Sequence, residues 1–594
     1  MAGSQKVVPL FIPFDAEYYR SRYPVLQNHS EEELIEHWNN HGHADGLRAA
    51  PLAPKYLPFD VTFYRDYHPD LAQLNLTDEQ LIEHWNSHGY GEGRLGFRPS
   101  KKLLLIKGIF YRFRPTLLNK LKIKRALARK TRAVAAALGN LHHELNTTNL
   151  SRIVSPNLPK MAWLTILSKN GVTCCTGVGV EWFDDLGFFE GVWAGDFRVF
   201  EQIVNTERFG SGIQLTKGHI KILPPTNNLE PIFIFFHKPS KTYLISNSLS
   251  LNIAATREIF DLDTLEALSD VVQKNHDAAN AGILEYNPIA LDNKEITALV
   301  ILADIIELTP SGKAKFISSP AVNKFSNFKQ YRNYLSSTIA KTIANGEHPY
   351  RENLLTPLTT ISRGYDSPAV TVLAKENGCK IAATIDVQVH ETTDSGSLIG
   401  EYLGIQTQKY PHIAGSQLET LEIPFDGALT GISEEFIATA GHGDDVIYKT
   451  LEPILPATIL FTGTYGDTEW GRDYHEPGLK KGEYNKSLNE FRLRVGFSHI
   501  PVPAIGAFFP ASITAIANSR EMESFSTGNS YDRPIPRRIA ESAGVPRSAF
   551  GQIKRAIAPD AQNRAALWLP AMEKMITKYQ KALRTINELP THQT

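Results

Sequence analysis

The stretch TTISRGYDSPAVTVLAKENG, residues 359–378, narrows most sharply what this chain can fold into. A β-branched run passes through Ser362, Arg363, Gly364, Tyr365, Asp366, Ser367 and Pro368 into an Ala/Val/Leu helical pattern. It reads as strand, glycine turn and helix. Ser367 is expected to cap a helix over 368–378, with Pro368 at its first position, where a missing N–H costs nothing. A helix start at a strand's end offers unpaired N–H groups and the positive end of a dipole, which suits an anion, a phosphate above all.

The surroundings extend that unit. FKQYRNYLSSTIAKTIANG is expected as an amphipathic helix leading into a strand over 353–362. KIAATIDV, TQKY and ATILFTG read as later strands and SGSLIGEYLG as a helix between them. Alternation of this kind predicts a parallel sheet with its ligand at the carboxyl edge. Between about 160 and 300 the pattern is different. WLTILS, FRVFEQIV, KILPPT, PIFIFFHK and TYLISNS read as short strands of a mostly β domain.

At 594 residues the chain is long enough for several domains. Its 62 basic and 63 acidic side chains nearly cancel, so net charge gives no argument for a nucleic-acid partner. Three cysteines make neither a disulfide framework nor a zinc site. MAGSQKVVPLFIPFDAEYY lacks a signal-peptide core and no apolar run is long enough to span a bilayer, so the expectation is a cytoplasmic protein.

Residues 1–100 contain two tandem repeats, 13–48 and 58–95. PFDAEYYRSRYPVL matches PFDVTFYRDYHPDL, and LIEHWNNHGHADGLR matches LIEHWNSHGYGEGRL. Each copy is expected to form a Phe-Asp-capped helix and an acidic-capped second helix stopped by Gly42 or Gly89. His37/His41 and His84/His88 stand at i,i+4; packing on Trp at the helix end is the plainer account, a metal pair the sharper one. The motif resembles repeats that accompany glycosyltransferases and other bacterial surface-polysaccharide proteins. Residues 101–158 are expected to be a basic helical linker. Its 101–143 portion is a candidate for protein contact or for peripheral contact with the inner membrane, with docking on the protein itself as the alternative.

Taken in order, these residues resemble the asparagine synthetase family. That family's loop is Ser-Gly-Gly-x-Asp-Ser, against Ser362 to Ser367 here. Its Ser-Gly-x-Gly-Ala-Asp-Glu signature resembles Thr462-Gly463-Thr464-Tyr465-Gly466-Asp467-Thr468. IIELTPSGKAKF resembles the hairpin ahead of the synthetase domain, and NSYDRPIPRRIAESAGVPRSAFGQIKRA its closing helices. The resemblance implies an α/β multidomain fold. A parallel-sheet synthetase domain of the adenine-nucleotide α-hydrolase (PP-loop) type would occupy 326–594. A degenerate, mostly β domain like an N-terminal-nucleophile amidotransferase would occupy 159–325, behind the all-α repeat region.

What the resemblance implies about chemistry is equally specific. ATP and Mg²⁺ would be held by Ser362, Arg363, Gly364, Asp366, Ser367, Gly463 and Asp467, with Asp366 and Asp467 as the metal carboxylates. Arg533 and Lys554 match catalytic basic positions, and Glu521, Glu523, Asp444 and Asp445 are further candidates. The implied reaction is adenylation of a carboxylate followed by attack of an amine or ammonia, the carboxylate or amine belonging to a small molecule or a glycan precursor. The family's glutaminase needs an N-terminal cysteine; residue 162 is Ala, and Cys174 and Cys175 are interior, so glutamine hydrolysis is expected to be lost. Arg363, where the family has glycine, either adds a phosphate contact or crowds the loop. The competing expectation is a nucleotide-binding scaffold without turnover.

Overall fold

The computed structural model describes residues 14–42, 59–68, 71, 74, 76–89, 115–137, 150–216, 218–256, 260–281, 286–309, 313–317, 325–386, 388–389, 392–411, 444–472, 488–507, 510–528, 532–551 and 564–587. Lys554 and residues 101–114 and 138–143 lie outside them. The chain forms two units, residues 1–119 and 120–594.

In the first unit each repeat starts its first helix on an aspartate: Asp15 accepts from Tyr18 N–H and Asp60 from Phe63 N–H, opening Ala16–Arg22 and Val61–Tyr67. The second helices, Glu31–His37 and Asp78–His84, are capped by Ser30 and Thr77 in reciprocal capping boxes with Glu33 and Gln80. The caps are hydroxyls, not the expected acids; the acids fill the first turn, where the helix dipole favours them. Each helix runs on as a π-helical turn that reaches the glycine, Trp38–Gly42 and Trp85–Gly89. Tyr19, Leu26, Leu34 and Trp38 form one small core, and Tyr64, Leu71, Leu81 and Trp85 the other. His37 and His84 place Nδ1 3.0 and 2.9 Å from the hydroxyls of Tyr19 and Tyr64, which favours the packing role over a metal pair.

In the second unit two sheets face one another. The seven-stranded sheet runs Leu150–Val154, Gly171–Thr176, Trp163–Ser168, Thr242–Ser246, Ile232–His237, Ile296–Ile301 and Ala290–Asp292. The six-stranded sheet runs Ala314–Ile317, Ile305–Leu308, His219–Leu223, Arg208–Thr216, Gly187–Trp193 and Glu181–Trp182. All neighbours are antiparallel except the first pair. Alternation sorts the side chains: Ile232 and Ile234 face Ile213, Ile222 and Ile306 between the sheets, while Phe233 and Phe235 join the core under helices Leu249–Thr256 and Leu262–Ala281.

FRVFEQIV is not a strand; Phe200–Asn205 is a 3₁₀ helix whose Phe200 and Ile203 are buried. The first strand of the sandwich, Leu150–Val154, falls inside the stretch read as linker. The basic helix Pro115–Ala137 docks on this sandwich: Val134 enters the core, Lys130 pairs with Asp304, and Thr131 Oγ1 accepts Phe316 N–H at 3.1 Å. Among the described residues no helix is long and apolar enough to cross a membrane.

The parallel sheet follows. Its strands are β1 (Thr356–Thr360), β2 (Ile381–Asp386), β3 (Gln406–Pro411), β4 (Thr458–Thr462) and β5 (Ser498–Pro501), in the order β3-β2-β1-β4-β5, every pair parallel. Ile459 and Phe461 face one core with helices α1 (Phe328–Gly346) and α2 (Asp366–Glu376). Leu358 and Leu460 face the other, under Tyr448, Leu451 and Phe491. The molecule is therefore mixed α/β, with parallel and antiparallel sheets. Strand order reverses between β1 and β4, and a crevice at the carboxyl ends of such a pair is where open α/β sheets bind ligands.

Sandwich and parallel sheet meet around a buried ion cluster. Arg492 on helix Asn489–Val495 binds Glu190 through Nη1 at 2.6 Å and Nη2 at 3.0 Å, and its Nε lies 3.0 Å from Glu230. Glu190 also accepts from Ser211 N–H and Oγ and from Asn247 Nδ2. Burial pushes the Glu230 carboxyl up to about 7, against the attraction of Arg492.

Candidate anion site at the carboxyl edge of the parallel sheet

The loop leaving β1 is closed by its own hydroxyls. Ser362 N–H donates to Ser367 Oγ at 2.9 Å, the two Oγ atoms lie 2.9 Å apart, and Gly364 N–H donates to Ser362 Oγ at 3.2 Å. This corrects the expected cap. The helix begins at Asp366, with Tyr365 as a cap that makes no side-chain bond, because Tyr365 is already in helical conformation and Ser367 turns back to the loop. Asp366, Ser367 and Pro368 therefore occupy the first turn, where the carboxylate is favoured by the dipole.

Arg363 is tied away from that turn. Its Nε donates to Ala549 O at 3.4 Å, its N–H to Asp394 O at 3.1 Å, and its carbonyl accepts Gly551 N–H at 2.8 Å. It ties the loop to the segment after residue 547.

The loop leaving β4 locks into the first. A Cβ built on Gly466 would stand 2.2 Å from Asp366 Cγ, and one on Gly463 2.9 Å from Ser367 N. Only glycine lets the Asp366 carboxyl rest on this turn, and Asp467 is the next residue. Before Gly466, Tyr465 takes a left-handed conformation, φ +71°, a strained choice for a side chain of that size. Thr462 Oγ1 donates to Thr464 Oγ1 at 3.0 Å and lies 2.8 Å from His499 Nε2. Burial, with Arg492 nearby, lowers the His499 pKa to about 3, so its ring is neutral.

Arg533 comes to this edge. It is buried, its Nη1 3.1 Å from a Cβ built on Gly471, a position equally close to the Asp467 carbonyl. One turn along helix α3 (Pro534–Ser542), Arg537 lies over the Tyr365 ring at 5.4 Å and pairs with Glu541 at 2.8 Å. Tyr365 and Phe550 are in ring contact at 5.2 Å. Burial works against Asp532, yet Ser526, Arg472 at 3.0 Å and the N–H groups of Thr527 and Gly528 keep its carboxyl below the usual range.

The structure thus brings together Ser362, Gly364, Asp366, Ser367, Gly463, Asp467 and Arg533. Lys554 lies outside the described residues. Glu521 accepts Phe328 N–H at 2.9 Å and pairs with Arg538 at 2.8 Å, which makes it the clamp on the start of α1. Asp444 and Asp445 open the 3₁₀ segment Asp444–Ile454, and Glu523 is exposed. Ala162 is fully buried, with Trp163 N–H bound to Asn247 Oδ1 at 3.1 Å. Sequence reasoning missed Thr462, Thr464, His499 and Arg537. The threonines stood inside the quoted motif; His499 carried no local signal, because only the pairing of β4 with β5 brings it to Thr462.

Among the described residues no group of three or more His, Cys, Asp or Glu side chains converges as a metal centre. No family model matches the chain. No curated protein matches it either. Among solved structures, a predicted subunit of tRNA methyltransferase from Methanocaldococcus jannaschii is similar at 15% identity, over 34% of this chain and 95% of that one, with a TM-score of 0.18.

Proposed function

We propose that the protein is an ATP-dependent, AMP-forming amide ligase of the asparagine synthetase kind. It would adenylate a carboxylate at the β1/β4 edge and pass it to an amine or ammonia. The observation that carries this reading is the interlocking of two loops at the reversal of strand order, with Asp366 resting on Gly466 beside Asp467. Two carboxylates at adjacent strand ends suit Mg²⁺, which usually takes one or two carboxylates and completes its shell with water and substrate phosphates. A hydroxyl-closed loop running into a helix start suits a polyphosphate. Arg533 adds a fixed positive charge, and attack on an α-phosphate calls for such charge where negative charge develops. Bound Mg²⁺ would neutralise phosphate charge there.

The sandwich, with Ala162 buried, would serve as a platform and not as a source of ammonia. The resemblance of the repeats to those of polysaccharide-associated proteins points to a uronic acid or another glycan carboxylate as the acyl donor. A nucleotide-binding scaffold without turnover is the second reading, favoured by Arg363 being tied to Ala549.

Release of pyrophosphate and AMP from Mg-ATP, with pooled uronic acids, amino acids and amines, separates the two. Carboxylate-dependent release that Asp366→Ala and Asp467→Ala both abolish supports the ligase. Binding of ATP with no release across the pool supports the scaffold, and failure to bind ATP overturns both.

A further inference from the structure

The His499 ring is 2% exposed; its Nε2 faces Thr462, and its Nδ1 is buried with no hydrogen-bond partner among the described residues. Thr462 has one hydroxyl hydrogen and donates it to Thr464. It therefore has none to give His499, so the hydrogen between them belongs to Nε2. The other tautomer would bury an unsatisfied N–H at Nδ1 and set two lone pairs against each other. The chain of donors then runs one way, from His499 Nε2–H to Thr462 Oγ1–H to Thr464 Oγ1. Thr464 accepts inside the protein, no described residue takes up its hydroxyl hydrogen, and its side chain is part-exposed on the loop that rests on Asp366 and Ser367.

We infer that Thr464 is a ligand-contacting donor whose hydrogen is reserved for a phosphoryl oxygen, and that His499 is a positioning residue which fixes this polarity through Thr462. The inference rests on the polyphosphate reading of the site and sharpens it: the hydrogen left on Thr464 is offered to an acceptor. A neutral, buried histidine suits the task because its single ring hydrogen on Nε2 can only be donated, and moving it to Nδ1 would leave an unsatisfied N–H in the interior. Burial and Arg492 together hold its pKa at about 3.

Two measurements on the full chain test this. Histidine-selective ¹⁵N spectra, with His499→Gln to assign the signal, are expected to show the hydrogen on Nε2 and no titration between pH 5 and about 8. Calorimetric titration with Mg-pyrophosphate is expected to show about tenfold weaker binding for Thr464→Val, since a bond to a charged acceptor is lost. Thr464→Ser, which keeps the hydroxyl, should stay within about twofold of wild type, and His499→Gln, which keeps a donor, likewise. Thr462→Val should weaken binding about threefold by releasing Thr464 to rotate. A hydrogen on Nδ1 overturns the relay. So does wild-type affinity in Thr464→Val when wild type binds pyrophosphate. If wild type binds neither pyrophosphate nor Mg-ATP, the polyphosphate reading itself fails and carries this inference with it.

Discussion

Glu190, Glu230 and Arg492 meet where the sandwich joins the parallel sheet; Asp366, Asp467 and Arg533 gather at that sheet's carboxyl edge. Each group has two carboxylates and one guanidinium, and the surroundings differ. In the first group Glu190 accepts two bonds from one guanidinium and others from Ser211 and Asn247, with side chains almost wholly enclosed. In the second, Asp366 and Asp467 keep part of their surface and sit on loops held by hydroxyls and glycines. Enclosed charge that is bonded on several sides joins two sheets; charge left at a strand end is available to a ligand. Ion pairing alone does not distinguish architecture from chemistry, whereas the place in the sheet does.

Removing charge from each place tests the contrast. The largest loss of stability is expected for Arg492→Met, about 4 kcal/mol, because Glu190 would stay buried without its partner. Calorimetric unfolding reads it, and a loss under about 1 kcal/mol would break the comparison. Next comes Glu230, whose folded pKa near 7 lies above its ordinary value near 4.5. The folded state holds the extra proton between those values, so this contribution is complete below about pH 4.5 and is lost as pH rises through about 7. Over that window wild type should lose about 3 kcal/mol relative to Glu230→Gln, read as a difference in urea unfolding at pH 4.5 and about 7.5. A parallel pH dependence in the two proteins would count against it.

Ser362→Ala comes third, at about 1 kcal/mol, for the bonds to Gly364 N–H and Ser367. Asp366→Asn should be smallest in thermal stability, within about 0.5 kcal/mol, while ending pyrophosphate release in the ligase assay. A loss of folding comparable to that of Arg492→Met would place Asp366 with the enclosed group.

Much of the parallel-sheet region was legible because its signals are local. Phe328–Gly346 is a helix over the residues expected, opened by Asn327, whose side chain accepts Gln330 N–H. The two glycine loops fall at neighbouring strand ends, as their order in the chain implied. The helix start at Asp366 was not legible, since Ser367 serves as a cap in one geometry and as a loop clasp in another, and the identity of the residue is silent on which. Gly187–Trp193 pairs along its length with Arg208–Thr216, yet both faces are buried, so neither alternation nor a helical period marks it. The ion cluster was out of reach for a different reason: Glu190 and Arg492 are 302 residues apart, and no local pattern carries a contact of that span.

That span sets a timetable for biosynthesis. At the ribosome's pace of about 5–20 residues per second, Glu190 is made roughly 15–60 s before the arginine that neutralises it. Enclosing the lone carboxylate in that interval would cost several kcal/mol, so the strands around it have reason to stay open. What waits for the helix carrying Arg492 is the junction of the two sheet regions, since the apolar interior between the sandwich's own sheets is drawn from residues 134–316 alone.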